Sequence, residues 1–380
     1  MQHSLLIKFQ GALLGAVLGN QLGYYFEYQK IEKEQTNYKI SINKHKLYPL
    51  HLGKQRLQKW GKITVNCANS LIRNKEFNQE DWHKVYEEWR DDWTNKKDQS
   101  GKTSQVKYSQ KKVEKFPEIF DNELADIYYI DKDDVFYPTA SNAVIASLPV
   151  TLLYHEDELK LQQKLQQWGK IWQNYSDINP SNLAIGYLIA QALTEQLDTQ
   201  TIIPKIIDYI GETEPLVGQL RQVEQLINQK ANLDTAITQL SKNLKSCSRQ
   251  EIFSEKQENS ISCPFFLPIC LALYCFLSTP EDLSLAILRG SRTKWATQIC
   301  TIVGTLSGAY NSTIGIPVEW RQKMGAELLG INEAEILNLA KKLWAVWCGV
   351  YDPNNMTQNI VPAVAAKNII CPRPRKASGY

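Results

Sequence analysis

The chain has 380 residues, of which 43% are hydrophobic and 22% charged, and it carries a formal net charge of +3. That length permits one large domain or two modest ones, and that composition permits a sizeable core. A surplus of three positive charges is too small to recruit nucleic acid or an anionic membrane through charge alone. Eight cysteines include no Cys-x-x-Cys pair, and Cys263, Cys270 and Cys275 share one apolar run. This usage fits reduced, buried thiols in a cytoplasmic protein better than a zinc site or a disulfide framework.

The N-terminal segment is apolar, but Lys8 and Gln10 interrupt it and no small-residue cleavage pattern follows, which argues against a signal peptide. Periodicity predicts its first helix over residues 5–20. Gly11, Gly15, Gly19 and Gly23 stand one turn apart there, forming a ridge without side chains that another backbone can approach. The same spacing marks membrane dimer helices, but the flanks are polar and the run short, so tight packing in a core is expected. Further helices are predicted over 54–74, 79–92, 140–154, 157–173, 180–197, 215–229, 263–278, 281–290, 293–311 and 332–350. The most apolar run, Cys263 to Leu277, is shorter than a bilayer span and carries two prolines, so no membrane partner is expected.

Three helix starts carry a capping signal: Thr279-Pro280-Glu281-Asp282, Asn179-Pro180, and Asn332 followed by Glu335. Thr94 to Phe116 is rich in Lys, Ser and Gln, and Asn243 to Ser262 is again polar. Both stretches read as exposed insertions in one helical domain of residues 1–351, with a partly disordered tail at 352–380.

Several motifs fail on inspection. Gly101-Lys102-Thr103 imitates a phosphate-binding loop, but Lys96 stands where its first glycine belongs. Asp131, Asp133 and Asp134 lack the turn glycine and distal glutamate of a calcium loop. The acidic pair Asp91-Asp92 lies between Trp89 and Trp93 and reads as a helix end packing its indoles. The five histidines are scattered without ligand spacing, which leaves serine–histidine or cysteine–histidine catalysis without a sequence signal.

The segments GALLGAVLGNQLGYYFE from Gly11, Lys59 to Trp82, and Pro280 to Trp320, in that order and at sensible separations, resemble the ADP-ribosylglycohydrolases, the family of the dinitrogenase reductase-activating glycohydrolase. GALLGAVLGNQLGYYFE, Gly11 to Glu27, is similar to the family's opening glycine-rich helix with its following glutamate. Pro280 to Trp320 resembles the C-terminal signature, with Gly304, Gly308, Ala309, Tyr310, Ile316, Pro317 and Trp320 in place. Lys59 to Trp82 follows the shape of the Thr-Asp-Asp-Thr helix, and the helices ending at Tyr154 and starting at Asn179 resemble two more. The resemblance implies an all-α fold, a single orthogonal multi-helix bundle.

It also implies a magnesium-dependent hydrolase of ADP-ribose linkages, in which aspartates hold two metal ions. Magnesium demands six oxygens at about 2.1 Å, and two such ions about 4 Å apart repel unless several carboxylates offset them. Here those carboxylates are missing. Aligned on the family, Trp295 and Thr297 stand at two aspartate positions, Lys294 at a preceding glycine, Lys59 and Trp60 at the Asp-Asp pair, and Asn20 at the aspartate of the opening motif. Residues 289–298 and 56–67 contain no Asp or Glu, so a one-residue shift restores none. The family's histidine-containing stretch appears as Ser176-Asp177-Ile178-Asn179-Pro180. Glu27 survives, matching a glutamate that gates or assists substrate in some members.

The resemblance therefore implies a degenerate member: no metal cofactor, no magnesium-dependent turnover, and a binding or assembly role with a protein partner. Asn20, Lys59, Trp60, Lys294, Trp295 and Thr297 are the pocket candidates for an ADP-ribose-like or other phosphate ligand, unless the two tryptophans simply fill the vacated space. The alternative is an active hydrolase that uses Glu27 as a general base, and a third reading places function in the Thr94–Phe116 loop. Nucleic acid is not an expected partner.

Overall fold

Four glycines one helical turn apart lay a strip of bare backbone along the first helix, and a second helix lies directly on it. The computed structural model describes residues 4–34, 54–95, 140–172, 178–242, 266–293, 295–322 and 333–349. In it α1 spans Leu5–Glu34 and α12 spans Ala296–Asn311, and the two run antiparallel. A Cβ placed on Gly11, Gly15, Gly19 or Gly23 would come closer than 3.0 Å to the carbonyl oxygen of Gly308, Gly304, Cys300 or Ala296, in that order. The relation is mutual, since a Cβ on Gly304 or Gly308 would strike the carbonyl of Gly15 or Gly11. Contact of backbone on backbone gathers dispersion along both helices and leaves no room for a methyl group. The stretch Leu5–Gly23 is long and apolar enough to cross a membrane by length and composition, yet 67% of it is buried inside the protein. Beyond Gly23 the helix continues to Glu34 rather than ending near residue 20.

The remaining helices pack around this pair. They are α2 (Lys54–Asn74), α3 (Gln79–Asn95), α4 (Ala140–Tyr154), α5 (Glu158–Gly169), α6 (Ile178–Leu193), α7 (Ile202–Ile210), α8 (Val217–Asn228), α9 (Leu233–Ser241), α10 (Leu267–Leu277), α11 (Leu283–Gly290), α13 (Val318–Gln322) and α14 (Glu333–Trp347). Short 3-10 turns follow α5 at Lys170–Trp172 and α12 at Thr313–Gly315, and no strand occurs among the described residues. Every residue of α10 is buried, and α6 is buried along nearly its whole length, as helices apolar on all sides must be. Most of the loop at 94–116, all of 243–262 and the tail lie outside the described residues; Thr94 and Asn95 belong to α3.

Three short helices escape the sequence reading. In α7, Ile202, Ile203, Ile206, Ile207 and Ile210 are buried on one face, but the segment has only 9 residues, and β-branched side chains with Pro204 read against a helix. Proline is tolerated there because its missing N–H falls in the first turn. In α9, Asn232 caps, its Oδ1 accepting from Thr235 N at 2.8 Å. The third, α13, has 5 residues and follows Pro317.

Two capping expectations need correction. Asp282, not Thr279, caps α11, accepting from Leu285 N at 2.8 Å. The Thr279 hydroxyl is already committed, donating to Cys275 O at 3.0 Å at the end of α10. Asn179 lies inside the first turn of α6, which begins one residue earlier. Asn332 lies outside the described residues.

Polar side chains fix the ends. Asp81 at the start of α3 accepts from Ser70 Oγ at 2.5 Å, from Arg73 Nη2 at 2.6 and 2.7 Å and from Asn74 Nδ2 at 2.7 Å, tying α3 to the last turn of α2. Burial opposes its charge, but these donors prevail and hold its carboxyl below the usual range. At the other end of the molecule Lys8 is buried, donating to Ala192 O at 3.0 Å and Leu193 O at 3.3 Å and pairing with Glu195 at 3.2 Å. A cation at the carbonyl end of α6 complements the helix dipole. Burial nevertheless pulls the lysine's pKa down, against Glu195. His155, just past α4, is wedged between Phe9 and Trp347 at ring separations of 5.4 and 5.5 Å. Burial, together with the nearby Lys8 charge, drops its pKa from 6.5 to about 4, despite its bond to Leu152 O.

Two outcomes follow. Gly15→Ala or Gly304→Ala should cost about 3 kcal/mol or more in urea denaturation, whereas Gly218→Ala, with nothing within 4 Å, should be neutral or stabilising by up to about 1 kcal/mol. The unfolded chain binds a proton at His155 between pH 6.5 and about 4 that the folded one refuses. Stability is therefore whole above that window and falls by on the order of 3 kcal/mol as pH drops through it. The Asp81 contribution is lost only further down. Denaturation at successive pH values should show the slope, and His155→Phe should flatten it.

Candidate functional site at the start of α12

The glycine ridge decides what meets at one end of α12. The backbone at Gly23 abuts Ala296 and Thr297, a Cβ there falling within 3.0 Å of the carbonyl of the first and the Cα of the second. Asn20 lies one turn before Gly23 on α1 and Glu27 one turn after, so both residues share its face of the helix. Trp295 occupies the residue before α12, with φ −103° and ψ 47°, and its carbonyl accepts from Ile299 N at 3.0 Å. An indole is a donor only and cannot cap the N–H groups of that first turn. Trp295 is partly buried and packs against the hydrophobic core. The Thr297 carbonyl accepts the Thr301 hydroxyl at 2.5 Å, and the Thr301 carbonyl accepts Thr305 at 2.8 Å. Asn20 Oδ1 is buried without a hydrogen-bond partner among the described residues.

The structure thus brings the α1 backbone next to Asn20 up to Trp295 and Thr297 at the start of α12, while the side chain of Glu27, one turn further along α1, lies outside the described residues. Lys59 and Trp60 lie on the second turn of α2, which packs on α4, α3 and α14 and touches α1 at its edge. Their side chains lie outside the described residues. Lys294 lies outside the described residues, as do Asp131, Asp133 and Asp134.

Magnesium does not fit what is described here. The side chains at the start of α12 are an indole and a threonine hydroxyl, and Asn20 adds a neutral amide; a hard dication requires carboxylate charge. Among the described residues no three of His, Cys, Asp or Glu lie together in reach of one ion. The described cysteines are unsuited to nucleophilic work. Cys67, Cys270, Cys275, Cys300 and Cys348 are all buried, and burial pushes the Cys67 and Cys275 thiols up to about 12.

Sequence reasoning passed over one feature of α6. Ser181 and Asn182 are buried, and their hydroxyl and amide have no partner among the described residues. Unsatisfied buried polar atoms cost stability and mark places where a water or ligand is missing. The signal was present as a Ser-Asn pair at the head of the otherwise apolar stretch NPSNLAIGYLIAQAL. On α1, Gln21 Nε2 shares this condition with its neighbour Asn20.

The all-helical bundle, the ridge and the signature from Gly304 to Trp320 converge on one family. The chain belongs to the ADP-ribosylglycohydrolase family, whose model matches residues 1–353. A solved structure described as an ADP-ribosylglycohydrolase-related protein complex is similar at 13% identity and a TM-score of 0.47, covering 90% of this chain and 99% of that one. A search among curated proteins returns no match.

Asn20→Leu keeps the volume and removes the unpaired oxygen. It should raise the unfolding free energy by about 1 kcal/mol in chemical denaturation.

Proposed function

We propose that this chain is an ADP-ribosylglycohydrolase relative without the magnesium reaction, serving in the cytoplasm as a binding or assembly partner. The observation that carries the proposal is the identity of the residues aligned with the metal ligands: Asn20, Lys59, Trp60, Trp295 and Thr297, with Lys294 beside them. Exchanging carboxylates for lysine reverses the local field, because a lysine near a dication adds repulsion where attraction is needed. Support comes also from what is kept. The backbone contact that positions the start of α12 is intact, while the residues described there, Trp295 and Thr297, offer no charged oxygen.

Tryptophan and lysine at these aligned positions are residue types that suit a phosphate-bearing ligand of the ADP-ribose kind, indoles by stacking on a base and ammonium groups by meeting phosphate. Glu27, one turn beyond Gly23, favours a second reading, in which it serves as general base of a metal-independent hydrolase.

Calorimetric titration should show no two-site magnesium binding in the micromolar range, and peptides ADP-ribosylated on arginine or serine should stay intact. Turnover that Glu27→Gln abolishes would overturn the proposal in favour of the hydrolase.

A further inference from the structure

Where α5, α6 and α7 meet, a pair of stacked tyrosines lies among acidic side chains. The rings of Tyr187 on α6 and Tyr209 on α7 are 4.4 Å apart with an interplanar angle of 27°. The Tyr209 hydroxyl donates to Glu158 O at 3.1 Å, and Gln162 Nε2 donates to Tyr209 O at 2.8 Å, which fastens α7 to α5. Glu158 Oε1 accepts from Gln191 Nε2 of α6 at 2.8 Å. Burial and then the charges of Glu158 and Asp208 raise the Tyr187 pKa, and burial, Glu158, Tyr187 and Asp157 raise that of Tyr209. The two phenols and the three carboxylates therefore form one cluster.

Asp157, Glu158 and Asp208 are exposed, and among the described residues none of them forms an ion pair. Lysines on the same helices are engaged elsewhere: Lys160 lies over the Tyr154 ring at 5.8 Å, Lys164 donates to Gln167 at 3.2 Å, and Lys205 lends its charge to Asp198. Leu159, next to Glu158, is 73% exposed, more than any other large apolar side chain among the described residues. Open carboxylates, an aromatic pair and a bare leucine thus share one surface.

We propose that this surface binds a protein partner through an arginine that lies against the Tyr187–Tyr209 pair and pairs with Asp208 and Glu158, beside an apolar residue that covers Leu159. A planar guanidinium can stack on an aromatic ring and offer two parallel N–H groups to a carboxylate, whereas an ammonium group offers neither. Each such contact is weak while it stays in water, so the leucine and the carboxylates must be covered together, which a protein surface does and a small cation does not. The surface belongs to α5, α6 and α7 rather than to the start of α12, so the inference stands whether or not the magnesium reaction is lost.

The probe is a capped tetrapeptide of alternating leucine and arginine, titrated calorimetrically into the full chain at low salt. It should bind, and its counterpart with lysine for arginine should bind about fivefold more weakly. Asp208→Asn with Glu158→Gln, which keeps an acceptor for Gln191, should weaken the arginine peptide about tenfold at an unchanged melting temperature. Leu159→Ser, at an exposed position, should weaken it about threefold without touching any charge. Absence of binding, equal affinity for the two peptides, or affinity unaltered by these variants would overturn the proposal. A dimer in sedimentation that the double variant dissolves would overturn it in favour of a second copy of the chain.

Discussion

The rest of the molecule depends on the approach of α1 to α12 at the distance of two bare backbones. Gly11, Gly15, Gly19 and Gly23 admit the carbonyls of Gly308, Gly304, Cys300 and Ala296, and no side chain could stand between them. This contact sets the register of the two helices and hence which residues of α1 lie beside the first turn of α12. Asn20, Trp295 and Thr297 owe their proximity to it. The other helices add burial around the pair, and the fully buried α10 and α6 show how much of that burial is core rather than surface.

A framework this exacting separates two kinds of constraint. Along the ridge even a methyl group collides, so the sequence has little freedom there. Away from the ridge the constraint is chemical rather than steric. Trp295 beside α12 is only partly buried, whereas Asn20 on α1 and the Ser181-Asn182 pair on α6 hold buried polar atoms that the packing leaves unpaired among the described residues. The unpaired atoms of Asn20 and Asn182 cost stability, and cost of that sort is typical where side chains serve something other than the fold.

Much of this was legible in the sequence, for physical reasons that differ by element. Glycines at four-residue spacing declare a helix contact because only a backbone can use the space they leave. The partner helix, with Gly304 and Gly308, was recognisable through its family signature. The segment α2 was found because its apolar face repeats over several turns, and α4 because it is apolar along its whole length. The failures were short or rule-breaking. In α7, isoleucines and a proline act against helix propensity and are overruled by burial of one face. Thr279 presents all the signs of a cap, but its hydroxyl bonds backwards to Cys275, a choice only the packing of α10 decides. At the site, the residue types could be read but not their placement, because α1 and α12 are distant in sequence and only their packing decides which turn of one meets the start of the other.

The regularity of the ridge has a further consequence. A row of glycines repeating every turn is nearly self-similar: α1 displaced by four residues along α12 would still lay glycine on backbone at most of the crossings. Such a displacement moves one helix by about 5.4 Å. The ridge alone therefore specifies closeness and direction but distinguishes poorly between neighbouring registers. That distinction falls to features that do not repeat. Lys8 finds the last carbonyls of α6 and Glu195 in one alignment only, and Gly11 clears the left-handed turn at Ser312, with φ 60°, in the same one. A buried ammonium thus acts as an index mark on an otherwise sliding scale, fixing from the opposite end of α1 the place at which Asn20 and Glu27 come to rest.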